Sequence, residues 1–365
     1  MLLLCTSRTR SVVWALNLLG MCFVCGCSPK AEGEVYLRST VDKEVAAPIL
    51  GAFHRSEQKL IQPRASFGNA SFDGDVFVES LKTGIDPENE TKSRGDVVWT
   101  DNLFLMLRLQ RSSLLMPTKW RVDPSHPAEL RADDQTWFGF AATARVLLVN
   151  TDRLKDPKQY PRSVDELVDE RWRGRCAVAR PVAEAGAVSV TAAIHAAVIG
   201  HAKGDDAEKW FSDLITNAVI LPGNTSVASA VAQGQVDWGL TDSVNAIAQL
   251  DDSSSVAIVF PDQSTSDPGT VRIPNAVAVL RDASHPVAAA RLANYLVLPT
   301  TEDRLAMSEA SLIPLSRNAT YKPRVLGDAP VRWAPVDFVA AEKSWQTLQP
   351  LLQKLFAAKE DSRLP

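Results

Sequence analysis

Asp96-Val-Val-Trp99-Thr100-Asp101-Asn102, running into Leu103-Phe-Leu-Met-Leu-Arg-Leu-Gln110, is the stretch whose reading decides the fold. The consecutive apolar residues suit a strand buried on both faces. The polar residues after them suit a turn that caps a helix, and the leucine-rich run suits the helix itself. The same succession stands upstream. A strand over 34–38 meets Ser39-Thr40-Val41-Asp42, and a helix over 43–55 carries Val45, Ile49, Leu50 and Phe53 at helical spacing. It stands again downstream, where a strand over 236–240 meets Thr241-Asp242-Ser243 and a further helix. Strand, polar turn and helix in alternation define a parallel sheet with crossover helices, an α/β fold.

Outward from these units the pattern continues. Gly74-Asp-Val-Phe-Val78 reads as a strand before a polar stretch over 82–94, and 138–150 reads as a long, doubly buried strand. Ser163, three residues before Glu166, makes a capping box for a helix over 161–167. Further strands are expected over 174–179, 217–221, 256–260 and 277–280. Further helices are expected over 188–199, 226–233, 286–296, 301–307 and 336–358. The 365 residues exceed the ~250–300 at which single cores divide, so two lobes are the default. The 45% hydrophobic and 22% charged content is that of an ordinary globular protein. A net charge of −4, with no basic stripe carrying interleaved aromatics, argues against nucleic acid as a partner.

In open α/β sheets ligands bind beyond the carboxyl ends of strands. The turns at 39–42, 100–102, 184–189, 224–226 and 241–245 are therefore the candidate site. Asp42, Asp101 and Asp242, if they converge, supply hard oxygen donors for Fe³⁺, Mn²⁺ or Ca²⁺. An aspartate after a strand also serves simply to cap the next helix. Asn224, with Thr225 and Ser226, can cradle an anion at a helix N-terminus or cap that helix. Enzymatic patterns are thin. His54, His126, His195, His201 and His285 show no zinc-site spacing. There is no Gly-x-Ser-x-Gly elbow and no phosphate-binding glycine loop. A glycosidase would need a carboxylate pair in an aromatic groove; the nine tryptophans permit one, and core packing accounts for them equally.

Taken in order, a set of stretches resembles one family. They are Val35-Tyr36, Asp96-Val-Val-Trp-Thr-Asp101, Trp137-Phe-Gly-Phe with Ala144-Arg-Val-Leu-Leu-Val-Asn-Thr-Asp152, and Trp172-Arg-Gly-Arg-Cys-Ala-Val-Ala-Arg-Pro181. They continue with Gly223-Asn-Thr-Ser-Val-Ala, Gly234-Gln-Val-Asp-Trp-Gly-Leu-Thr-Asp242, Pro261-Asp-Gln and Ile273-Pro-Asn-Ala-Val-Ala-Val. The ordered set resembles the extracellular solute-binding proteins of ABC importers, in particular their ferric-iron-binding branch. The resemblance implies a two-lobed periplasmic-binding-protein fold, each lobe a mostly parallel sheet flanked by helices, joined by hinge strands. It places 34–142 and 272–325 in an N-terminal lobe and 143–271 and 326–365 in a C-terminal lobe. It implies a non-enzymatic monomer that closes on a small solute and delivers it to permease and ATPase subunits. A ligand-sensing subunit is the alternative role for the same fold.

The resemblance also carries a site. Asp42 matches the family ligand from the turn after the first strand, and Asp101 stands where the family has a glutamate. The family's paired tyrosines fall on Val244 and Asn245, which leaves Asp242 and Ser243 to supply oxygen from that turn. Arg145 matches the arginine beside the anion, and the neighbouring arginine position holds Thr143. The implied metal ligands are Asp42, Asp101 and Asp242, with Ser39, Thr40, Arg145, Asn224, Thr225, Ser243 and Asn245 around the solute. The implied solute is ferric ion with a synergistic anion; another hard cation or a phosphonate-like anion fits the same turns. No cofactor is implied.

The N-terminus fixes the compartment. Arg8 and Arg10 precede an apolar run over 12–24 that is shorter than the roughly 20 residues a span needs. It ends in Val24-Cys25-Gly26-Cys27, which resembles the lipobox of bacterial lipoproteins. Residues 1–26 would be removed, Cys27 lipidated, and 27–33 left as a tether. The protein would then lie in the cell envelope, outside the cytoplasm, held to a membrane only by its lipid. Cys176 alone would remain as a free thiol, so no internal disulfide is available. Because acyl chains would supply the membrane affinity, Cys27→Ala should release the protein into the soluble fraction of a cell lysate. Full membrane retention of that variant would make the apolar segment itself the anchor.

Overall fold

The computed structural model describes residues 33–67, 74–83, 95–121, 126–181, 205–252 and 255–361. Cys27, the signal segment, the tether before Gly33, the expected helix over 188–199 and the turn at 184–189 lie outside them. Among the described residues no helix is long and apolar enough to cross a membrane.

The strands are β1 (Gly33–Ser39), β2 (Ile61–Phe67), β3 (Val97–Thr100), β4 (Leu115–Met116), β5 (Trp137–Asn150), β6 (Cys176–Ala179), β7 (Val219–Leu221), β8 (Trp238–Asp242), β9 (Val256–Val259) and β10 (Arg272–Leu280). The helices are α1 (Lys43–Ser56), α2 (Gly74–Thr83), α3 (Leu103–Arg111), α4 (Asp205–Asn217), α5 (Asn224–Ala232), α6 (Ser243–Asp252), α7 (Pro286–Leu296), α8 (Pro299–Met307) and α9 (Phe338–Asp361). Strands run in the order β2-β1-β3-β10-β5-β8-β6-β7. Two parallel trios, β2-β1-β3 and β8-β6-β7, stand at the two ends of this path. Between them β10 and β5 run antiparallel, and β5 continues antiparallel to β8 and β9.

β5 is shared. Its first half pairs with β10, and from Arg145 onward it pairs with β8 and β9. Every residue of β5 is buried except half-buried Thr143, as the mostly apolar run of 138–150 leads one to expect. The three strand–turn–helix units of the sequence fall where expected, as β1 with α1, β3 with α3, and β8 with α6. They point their carboxyl ends, at Ser39, Thr100 and Asp242, toward the N-termini of the helices that come next in the chain.

Three local expectations need correction. Gly74-Asp-Val-Phe-Val78 is not a strand but the start of α2. Phe77, Val78 and Leu81 are buried along one helical face, and Arg38 stacks over the Phe77 ring at 5.2 Å. Strand β2 was not anticipated, because only Ile61 of its seven residues is buried and no alternation results. It is an edge strand on β1, where Pro63 withholds no needed ladder donor. The capping box is also displaced. Ser163 Oγ accepts from Asp165 N–H at 3.2 Å, but Glu166 Oε1 accepts from Arg162 N–H at 2.7 Å, and the turn over Val164–Val168 is 3-10. Cys176 is fully buried and its thiol is pushed up to about 12 by that burial, which suits a core residue.

Helix α5 lies directly on β8. A Cβ built on Gly239 would fall 2.5 Å from Val227 Cγ1 and 3.0 Å from the Ala177 carbonyl oxygen. Gly239→Ala should therefore destabilise the protein by ~1–3 kcal/mol in denaturant unfolding, the cost of overpacking a tight core. Wild-type stability would mean that α5 can lift from the sheet.

Candidate functional site

On the first sheet the site is built at the end of β3. Thr40 Oγ1 donates to Asp101 Oδ1 at 2.7 Å and accepts from Asp101 N–H at 3.3 Å. The 2.8 Å contact between the Thr40 and Thr100 hydroxyls must then be donated by Thr100, since Thr40's one proton is committed. Thr100 Oγ1 accepts from Asn102 N–H at 2.9 Å, and Asn102 Oδ1 caps α3 by accepting from Leu105 N–H at 3.1 Å. Capping is thus done by Asn102. Asp101 is left with Oδ2 taking no hydrogen bond from any described residue. Ser39 is buried, with its hydroxyl turned to Val41 N–H at 3.1 Å, so it shapes the turn. Asp42 holds the N-cap position of α1 but makes no side-chain cap bond, and it is exposed.

On the second sheet, at the end of β8, the division of labour differs. Asp242 does cap α6: its Oδ1 accepts from Asn245 N–H at 2.8 Å, and both its oxygens accept from Asn245 Nδ2 at 3.0 and 2.9 Å. Thr225 Oγ1 donates to Asn245 Oδ1 at 2.8 Å. Ser243 is fully buried, and its Oγ accepts from Ala144 N–H at 3.0 Å. That contact ties it to the β5 backbone. Asn224 opens α5 without capping it, and its Oδ1 accepts instead from both Nη atoms of Arg145 at 3.3 Å.

Arg145 pairs with Asp242 in the β5–β8 ladder and is 2% exposed. Its Nε finds no acceptor among the described residues. Burial pulls its pKa down to about 10, and the Asp242 charge opposes that fall, so the guanidinium stays charged at neutral pH. Asp101 is pushed the other way. Burial raises its pKa most, the Thr40 bond and its own backbone N–H resist, and the negative charges of Asp242 and Asp42 raise it further. The three aspartates from three turns therefore share one electrostatic field across the two sheets. They do not form a ready-made cage: among the described residues no three His, Cys, Asp or Glu side chains stand close enough to hold a metal. The same holds for the histidines that are described; His285, for example, is engaged with Asp96 at 3.0 Å. A cavity of about 850 Å³ near Trp137, Asp134 and Phe338 touches none of these site residues.

Thr100 and Thr241, which the sequence placed in the candidate turns without a role of their own, complete the arrangement. Thr241 Oγ1 donates to the Asn224 carbonyl at 3.1 Å and so fixes the opening of α5 against β8. Their one sequence signal is a hydroxyl as the last buried strand residue before an aspartate.

Two shared-strand sheets whose carboxyl ends present polar turns to a common field define a two-lobed solute-binding fold. Solved proteins of that fold superpose on the chain. Trichodesmium IdiA (FutA), in complex with iron and citrate ligands, matches with a TM-score of 0.71 at 21% identity, covering 88% of this chain and 99% of that one. The ferric binding protein from Campylobacter jejuni matches with a TM-score of 0.74 at 15% identity, covering 88% and 99%. Residues 103–342 match the family model described as bacterial extracellular solute-binding protein, and the chain belongs to that family. In sequence it is 28% identical to iron uptake protein A2 of Synechocystis sp. over 217 residues, 56% of this chain and 60% of that protein. It is 31% identical to an Fe(3+)-binding periplasmic protein of Serratia marcescens over 153 residues, 40% of this chain and 42% of that protein. The chain thus spans about half the length of these curated relatives.

A raised carboxyl pKa has a fixed sign in stability. The fold disfavours ionised Asp101, so its contribution is full below the ordinary aspartate value of 3.8 and is lost as pH rises through the folded value. Asp101→Asn should melt higher than wild type at neutral pH, with the difference closing as pH falls toward 3.8. A lower melting temperature for the variant at neutral pH would show that the Thr40 bond outweighs burial.

Proposed function

We propose that this chain is the lipid-anchored solute-binding subunit of an ABC importer, working as a monomer in the cell envelope. It captures ferric ion together with an anion between its two lobes and passes them to a permease and ATPase. The observation that carries this reading is the opposition of two unmet groups. Asp101, with a free Oδ2 and two further aspartates in its field, suits a hard cation; buried Arg145, with an unmet Nε, suits the anion that completes the cation's shell. What the named relatives bind supports the choice of iron. The proposed lobe boundaries, 34–142 with 272–325 and 143–271 with 326–365, are supported by β5, which changes partners between Ala144 and Arg145, two residues past the proposed boundary, and by β10, which begins at Arg272. Ligand shifts the population of open and closed forms toward closure, and no bond is made or broken.

A second reading has its own support. Val244 and Asn245 stand where phenolate donors would be expected, and the unmet Arg145 Nε suits an organic phosphonate-like anion bound without metal.

Calorimetric titration separates the two. If ferric ion binds, Asp101→Asn and Asp242→Asn should each weaken ferric citrate binding roughly tenfold or more, about 1.4 kcal/mol. Any ferric complex should also lack the intense visible band of a tyrosinate–iron centre. If a bare anion binds, both variants should hold a phosphonate as well as wild type or better, and Arg145→Ala should be the damaging change. Full ferric citrate affinity in the Asp101→Asn, Asp242→Asn double variant would overturn the cation site.

A further inference from the structure

Among the buried carboxylates outside the site, one is bonded only to backbone N–H groups. Glu302 of α8 is 1% exposed and has three backbone partners. Its Oε1 accepts from Ala141 N–H at 2.8 Å and Leu315 N–H at 3.0 Å, and its Oε2 accepts from Ser316 N–H at 2.7 Å. A buried carboxylate is costly unless such bonds satisfy it, so its position is tied to those of the N–H groups it serves.

Those groups lie beside the strand that the two sheets share. In the β5–β10 ladder Pro274 pairs with Ala142 and Asn275 with Phe140, which leaves Ala141 as the extra residue of a β-bulge. Ala141 is fully buried with φ +37°, a conformation that an alanine holds only under constraint. A bulge bends its strand and re-aims the side chains beyond it. Here it falls four residues before Arg145, where β5 leaves β10 for β8. Side chains take both backbone groups that the bulge releases. Glu302 takes the N–H, and Asn275 Nδ2 donates to the carbonyl at 2.5 Å. Asn275 Oδ1 in turn accepts from Trp99 Nε1 at 3.0 Å, two residues before Asp101. Next to the bulge, Ala142 and Ile313 exchange N–H···O bonds at 2.7 and 2.8 Å, and Glu302 also holds Leu315 and Ser316 just beyond.

We propose that Glu302 is a positioning residue for ligand capture: it pins the bulge at Ala141 and so sets the angle at which β5 presents Arg145, with Asp242 paired to it from β8, to Asp101. The effect on affinity rests on the proposed closure around a solute; the angle itself is measurable without ligand. Glu302→Gln keeps the shape but replaces one acceptor oxygen by a donor that faces a backbone N–H.

The small-angle scattering profile of unliganded Glu302→Gln should differ from wild type, and its affinity for ferric citrate should change by roughly tenfold, because the competent fraction scales the apparent Kd. Leu167→Ala, a fully buried core truncation outside β5, β10 and α8, gives the control for stability alone. It should lower the melting temperature and leave the profile and affinity unchanged. Should Glu302→Gln fail to fold, Glu302→Asp, which keeps the charge but shortens the reach to the Ala141, Leu315 and Ser316 N–H groups, should shift the unliganded profile instead. A wild-type profile and affinity in folded Glu302→Gln, or a wild-type profile in Glu302→Asp, overturns the proposal whatever the melting temperature does. If wild-type protein itself fails to bind ferric citrate, the assigned ligand falls, and the unliganded profiles still decide the role of Glu302.

Discussion

The structure depends on a single extended backbone, the fourteen residues of β5, serving two sheets in succession. A strand in the middle of a sheet must satisfy its N–H and C=O groups on both edges. β5 meets that demand by changing neighbours along its length, with β10 at one end and β8 and β9 at the other. Just before that change the Ala141 bulge interrupts the β10 ladder, and Glu302 and Asn275 take the two backbone groups it releases.

That constraint shapes the chemistry of the site. The parallel trios on either side of β5 end at polar turns, and the shared strand brings those turns into one electrostatic field. The two sides are unequal. Asp101 is relieved of capping by Asn102 and keeps an oxygen free, whereas Asp242 spends both oxygens on Asn245 and supports Arg145 by charge. Burial presses both charges toward neutrality, Asp101 upward and Arg145 downward. A solute that carries both a cation and an anion relieves both at once, because each buried charge gains a partner without a new one being desolvated alone.

The turn that holds Val244 and Asn245 is closed on itself. Asn245 is drawn into the second sheet by Asp242 and Thr225, so that turn is internally satisfied. On the proposed ferric reading, donors for the cation would come mainly from the first sheet and from the accompanying anion, which Arg145 would hold.

The sequence by itself determined the elements with strong periodicity or unbroken apolarity. β1 with α1, β3 with α3, β8 with α6, and the long β5 are legible because burial on one or both faces dictates which side chains stand there. It determined as well which turns carry oxygen donors, since those turns come directly after the strands. It misread residues 74–78, where a short apolar run suits either a strand or a helix and only packing of Phe77 and Leu81 on the first sheet decides. It passed over β2, whose exposed face leaves no alternation. Only the tertiary structure decided which polar residue caps and which stays free: Asn102 rather than Asp101, and Asp242 for itself. Only the tertiary structure turned Ser243 into a backbone partner and gave Glu302 its three N–H groups. The physical reason is common to all of these cases. A local pattern records burial and propensity, whereas a hydrogen-bond partner 99 or 161 residues away is fixed only when the sheets close around it.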